Sequence, residues 1–175
     1  FGVNHNGVTK AQILQDQEDN QDPFSGWVLS VVQTGENDKG VAVIPRHTQG
    51  TIQGTINPRP DIETGTQENP ITTQMFLANH LEHSQNPDSP YYGESGMTPE
   101  EWIMAFMMNL AETGKPMDNF INNRDSVAHL IGAYFATSDH VPCACWTTDE
   151  KRIGLYRHKP SIKRSDFGVR FVVRG

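Results

Sequence analysis

Four short runs near the C-terminus, AHLIGAYFATS (128–138), CACWTTD (143–149), RIGLYRHK (152–159) and DFGVRFVVR (166–174), decide the fold. Each is rich in β-branched, aromatic or small apolar residues and is bounded by polar turns, the pattern of short strands in an antiparallel sheet. Side chains alternate along a strand, so RIGLYRHK sends Leu155, Arg157 and Lys159 to one face and Tyr156 and His158 to the other.

Upstream of these runs, TPEEWIMAFMMNLAETG (98–114) contains a complete set of helix signals. Thr98 can cap the first turn, Pro99 suits the first helical position, Glu101 closes a capping box and Gly114 supplies a left-handed stop. The spacing predicts a buried face of Trp102, Ile103, Phe106, Met107 and Leu110. A shorter helix is expected in ITTQMFLANHLEHS (71–84), capped by Thr72 or Thr73, with Met75 and Phe76 among its apolar residues and its end at Asn86-Pro87.

Further out, FSGWVLSVVQTGENDKGVAVIP (24–45) places apolar runs at 27–32 and 41–44 around a Gly/Asn/Asp-rich bend at 35–40, a β-hairpin ended by Pro45. Residues 46–70, with their GTIQGTI repeat and scattered Pro, Gly and Thr, have no periodic apolar face and read as a long surface loop with at most one edge strand. Residues 1–23 move from a Gly/Asn-rich start into acids and amides and read as a connecting arm or linker. The expectation is one α+β domain over 24–175, with strands from both ends of the chain, two helices and long loops. Pairing of the first strand with the last would close it.

The bulk properties fit that plan. A chain of 175 residues can bury a core without disulfides or a structural metal. At 35% hydrophobic and 20% charged, with 15 Gly and 11 Pro, it reads as loop-rich and polar-surfaced. No run approaches the ~20 apolar residues of a membrane span, so no membrane insertion is expected, and no secretory leader pattern opens the chain. The formal charge of −7 argues against a nucleic-acid partner, yet it is unevenly spread. Residues 1–120 hold 5 Lys/Arg and 16 Asp/Glu, whereas residues 121–175 hold 9 and 5. A basic surface facing an acidic ligand, opposite faces meeting in an oligomer, and uneven solvation all fit this polarity.

Few local motifs point to chemistry. His80 and His83 share a helix face, but the segment matches neither HExxH nor HxxEH, and an exposed polar helix end is the competing reading. Cys143 and Cys145 lie two apart on a strand and share a face. With His129 or His158 they would make a zinc or copper site, and without one they are small buried residues, the commoner fate of free cysteines. No phosphate loop, GxSxG elbow or acid-rich calcium loop is present, so neither metal nor cofactor is expected.

The region 151–170 holds Lys151, Arg152, Arg157, His158, Lys159, Lys163, Arg164 and Arg170, interleaved with Tyr156. Guanidinium forks for anionic groups and rings for sugar faces suit a sulfated or carboxylated glycan. The candidate ligand-binding set is Lys151, Arg152, Tyr156, Arg157, His158, Lys159, Lys163 and Arg164. Charged residues that guard a sheet edge against aggregation would give the same pattern.

The order 133–139 (AYFATSD), Ala144-Cys145-Trp146 and 167–174 (FGVRFVVR) resembles the ending of C-type-lectin-like bacterial domains, with their YWSSTE stretch, AW strand, polar loop and closing G-V-R-x-V-R strand. The chain is similar to the Fibrobacter-type major paralogous domains and to the C-terminal domains of Lcl-type collagen-like adhesins. Residues 26–32 (GWVLSVV) and 39–45 (KGVAVIP) match their first hairpin, while FATS stands in place of WSST, and Met97-Thr98-Pro99-Glu100-Glu101-Trp102 in place of their usual helix entry.

The resemblance implies a C-type-lectin-like fold and a secreted, cell-surface or virion-surface binding module at the tip of a fibre. It further implies a homotrimer that binds an acidic or sulfated glycan or another cell-surface receptor, without catalysis. Two alternatives stand beside it: a structural trimerisation or capping domain without ligand, and a relative of the formylglycine-generating enzymes, which use a cysteine pair with copper.

Overall fold

The computed structural model describes residues 28–30, 33–34, 41–42, 44–45, 72–120, 127–133, 135, 138–164 and 166–174. The expected arm at 1–23 and loop at 46–70 lie outside them. Within them the architecture is α+β, with two helices and a set of mostly short strands.

Helix α1 spans Thr73–Gln85, with Thr72 as its N-cap, accepting from the Met75 amide, and Asn86 as its C-cap. Helix α2 spans Pro99–Thr113 and forms as its sequence dictates. Thr98 and Glu101 close a reciprocal capping box, Pro99 occupies the first turn, and Gly114 ends the helix at φ 68°.

The strands are β1 (Val28–Ser30), β2 (Gln33–Thr34), β3 (Val41–Ala42), β4 (Ile44–Pro45), β5 (Glu94–Gly96), β6 (Asn119–Phe120), β7 (Val127–His129), β8 (Val141–Thr147), β9 (Arg152–His158), β10 (Phe167–Val169) and β11 (Phe171–Arg174). One sheet has the order β1-β11-β5 and joins the early part of the chain to its end, with Val28 opposite Arg174 and Ser30 opposite Val172. A larger sheet runs β4-β10-β7-β8, and β8 carries β9 along its whole length on one edge. Its other edge is shared between β7 and β6.

Several expectations change. The N-terminal hairpin exists only in its inner part, where β2 pairs with β3, while β1 and β4 leave for different sheets. In the run 128–138 the strand described ends at His129, and the chain turns at residues 131–132. The larger sheet is mixed, since β10 pairs parallel with β7 and β6 parallel with β8.

The run 166–174 is not one strand. It divides at Arg170, with β10 in the larger sheet and β11 in the smaller one. The Arg170 carbonyl accepts from the Met97 amide at 3.1 Å. Its side chain has no solvent exposure and forks onto Asp118, with Nε to Oδ2 at 2.9 Å and Nη2 to Oδ1 at 2.6 Å. Trp102 Nε1 donates to the same carboxylate at 2.7 Å. The buried guanidinium therefore ties the sheet crossover to α2 and to the entry of β6, a placement tolerable only because the Asp118 carboxylate meets its charge with two hydrogen bonds.

The larger sheet is covered on both faces. Ala144, Trp146 and Ile153 pack with Trp102, Phe106, Met117 and Leu130 on the α2 side. Cys143, Cys145, Val127, Phe167 and Ile162 form the layer on the other. Trp102 and Phe106 stack at 5.2 Å, and Phe106 meets Trp146 at 5.5 Å. Burying such side chains stabilises by about 1.5–3 kcal/mol each. The face anticipated for α2 is narrower than its periodicity suggests: Trp102 and Phe106 are buried, whereas Ile103 and Met107 are exposed. The helix packs on the core through Trp102, Phe106 and Leu110 with Ala105 beside them, and Ile103 and Met107 lie outside that contact.

Candidate binding face

Strand β9 holds half of the expected ligand-binding set, and its register with β8 fixes which side chains share a face. Arg152, Gly154, Tyr156 and His158 stand opposite Thr147, Cys145, Cys143 and Val141. Ile153, Leu155 and Arg157 point the other way, toward the α2 side, with Arg157 opposite Pro142. The alternation read from the sequence is therefore correct for Tyr156, His158, Leu155 and Arg157.

Gly154 is buried because Tyr156 covers it. A methyl group built at Gly154 would lie 2.3 Å from Cε2 and 2.6 Å from the hydroxyl of Tyr156, so the ring occupies the space any other residue's side chain would need. Tyr156 nonetheless stays 47% exposed, with the remaining ring surface turned to solvent. Sequence reasoning missed this seat, although a glycine two residues before an aromatic on a strand is its visible signal.

His158 flanks the ring. Its imidazole meets the buried Phe167 edge-on at 5.0 Å, and the Arg164 guanidinium lies over the same ring at 5.2 Å. Burial, and then the positive charge of Arg164, holds the His158 pKa below the ordinary imidazole value. Arg164 is gripped by Asp166, Nε to Oδ1 at 2.8 Å and Nη2 to Oδ2 at 2.5 Å, which raises the guanidinium pKa further. Asp166, also unforeseen, thus sets where Arg164 points.

The other cations are spread more widely. Arg152 bonds Glu150 through Nε, and the Lys159 ammonium sits 3.0 Å from Asp139. Lys151 is exposed in the turn before β9 at φ 50°, and Lys163 is exposed beside Arg164. The eight residues therefore do not form one patch. Arg152, Tyr156 and His158 share a face that Arg164 reaches through Phe167, and Arg157 stands on the opposite one. Arg170, counted with this basic region by sequence, belongs to the core.

The remaining candidates have structural settings. Cys143 and Cys145 are buried free thiols on the side of the sheet that carries Tyr156. Burial pushes their pKa values up to about 12 and about 11, reinforced for Cys143 by its neighbour Cys145 and for Cys145 by Asp118. His80 is buried, bonds Glu94 Oε2 at 2.8 Å and stacks on Phe171 at 3.9 Å, while His83 meets Tyr91 edge-on at 5.9 Å. His129, proposed as a third metal ligand, is buried with Nδ1 2.6 Å from the Thr73 hydroxyl. No group of three potential ligands is arranged to hold a metal ion among the described residues.

No family model, curated protein or solved structure matches the chain. No helix among the described residues is long and apolar enough to cross a membrane.

Proposed function

We propose that this chain is an extracellular or surface-borne binding module of C-type-lectin-like fold that recognises an acidic or sulfated glycan, without catalysing a reaction. The fold reading is supported by the antiparallel pairing of β1 with β11, which brings the two ends of an α+β domain together. The ligand reading rests on one observation above all, the half-exposed Tyr156 ring seated over Gly154 on the strand face that also carries Arg152 and His158, with Arg164 and His158 meeting on Phe167. A sugar face packs on such a ring, and guanidinium groups held by carboxylates are already oriented for sulfate or carboxylate oxygens.

The test is a titration of the chain with heparin fragments at two salt concentrations, beside an Arg152→Ser/Arg164→Ser variant. Binding that weakens with salt and falls at least about tenfold in the variant is expected. Absence of binding by the intact chain would overturn the reading and favour the structural alternative, a trimerising or capping domain.

A further inference from the structure

We infer that the outward face of α2 is a docking surface for a cationic amphipathic helix of a partner protein. Ordinary surface helices are polar on the side away from the core, but α2 is apolar nearly all the way round. Its inner row is filled by Trp102 and Phe106, yet Met104 is 65% exposed, Met107 55%, Met108 60% and Ile103 36%. Exposed apolar residues grouped on one element mark an interaction surface, and methionine, flexible and polarizable, suits a face that must mould itself to a partner.

The charges around this face say what the partner must carry. Residues 99–113 contain three glutamates and no lysine or arginine. Glu100, Met104, Met108 and Glu112 follow one another at four-residue intervals, so they form a single row with an exposed carboxylate at each end, about 18 Å apart. Ile103, Met107 and the exposed Ala111 form the adjacent row. A second copy of α2 is a poor occupant, because antiparallel pairing brings Glu100 of one copy to Glu112 of the other, and parallel pairing brings like onto like. A helix with an apolar stripe bracketed by lysines or arginines satisfies both the methionines and the glutamates.

The test uses the full chain and a synthetic amphipathic Leu/Lys helix whose lysines bracket the leucine stripe, with a Leu/Glu helix of the same pattern as control. Titration calorimetry is run on the wild type, on Met104→Ser/Met107→Ser/Met108→Ser, and on Glu100→Gln/Glu112→Gln, each shown to be folded by circular dichroism. The expected result is saturable binding of the Leu/Lys helix alone, reduced at least about tenfold in both variants. No saturable binding by the wild type, equal binding of the Leu/Glu helix, or unchanged affinity in the methionine variant would overturn the proposal. Sedimentation showing methionine-dependent self-association without peptide would overturn it too, by assigning the face to a second copy.

Discussion

Arg170 and Arg164 sit in one C-terminal segment, and each closes a two-pronged bond on an aspartate, the first on Asp118 and the second on Asp166. The Arg170 and Asp118 side chains have no solvent exposure, whereas Arg164 keeps 48% of its own. In the buried pair neither ion can recover water if its partner is lost, so the pair is part of the framework on which α2, β6 and the sheet crossover depend. In the outer pair the half-exposed guanidinium can still reach water or a ligand's anion, although the Asp166 carboxylate that holds it is itself buried, so the pair contributes direction to Arg164 as well as stability to the carboxylate. The same chemistry is thus structural in one place and available for recognition in the other, and burial makes the difference.

The largest effect should come from breaking the inner pair. Asp118→Ala leaves the Arg170 cation buried without its carboxylate and removes the acceptor of Trp102 Nε1, so a loss of about 3–5 kcal/mol is expected in urea unfolding. The double variant Asp118→Leu/Arg170→Met should lose less than Asp118→Ala alone, because no charge then remains to be solvated. Equal losses would show that Arg170 is not held by its charge. Asp166→Asn, by contrast, should cost less than Asp118→Ala in the same assay, because the half-exposed Arg164 regains water where the buried Arg170 cannot, while heparin affinity changes through the released Arg164.

These two pairs also mark what the sequence discloses. The ends of α2 are legible because caps are local: Thr98, Pro99, Glu101 and Gly114 act within a turn of their own positions. The faces of β9 are legible because alternation is local as well. By sequence Arg170 is one more member of a basic run, since nothing near it in the chain announces Asp118, its partner across the fold. Ile103 and Met107 are exposed despite their apolar spacing for a related reason: periodicity shows which side of a helix is apolar, but not how wide a surface will cover it. Of the candidate site, the residue types and their alternation were legible. The seating of Tyr156 on Gly154 and the orienting carboxylate of Asp166 depend on packing, and were not.

A smaller effect separates the two regions by pH. In the folded chain His158 is held below its ordinary value, by burial first and then by Arg164. The unfolded chain therefore takes up this proton first, so the His158 contribution to stability is complete above about pH 6.5 and declines as the pH falls below it. A bound polyanion favours the protonated ring instead. Heparin affinity should rise as the pH is lowered from about 7.5 to about 5.5, and His158→Gln should flatten that rise while leaving the unfolding behaviour of the Asp118–Arg170 pair untouched.

The most direct test of the binding face leaves every charge in place. Gly154→Ala puts a methyl group where the Tyr156 ring lies, and the ring, at the free end of its side chain, must move. Titrated with heparin fragments at fixed salt, the folded Gly154→Ala chain should bind about tenfold more weakly than the wild type, because the stacking surface is displaced while Arg152, Arg164 and His158 remain. Unchanged affinity would contradict the account, since it would mean that the anion is held by charge alone and that Tyr156 on its glycine seat takes no part.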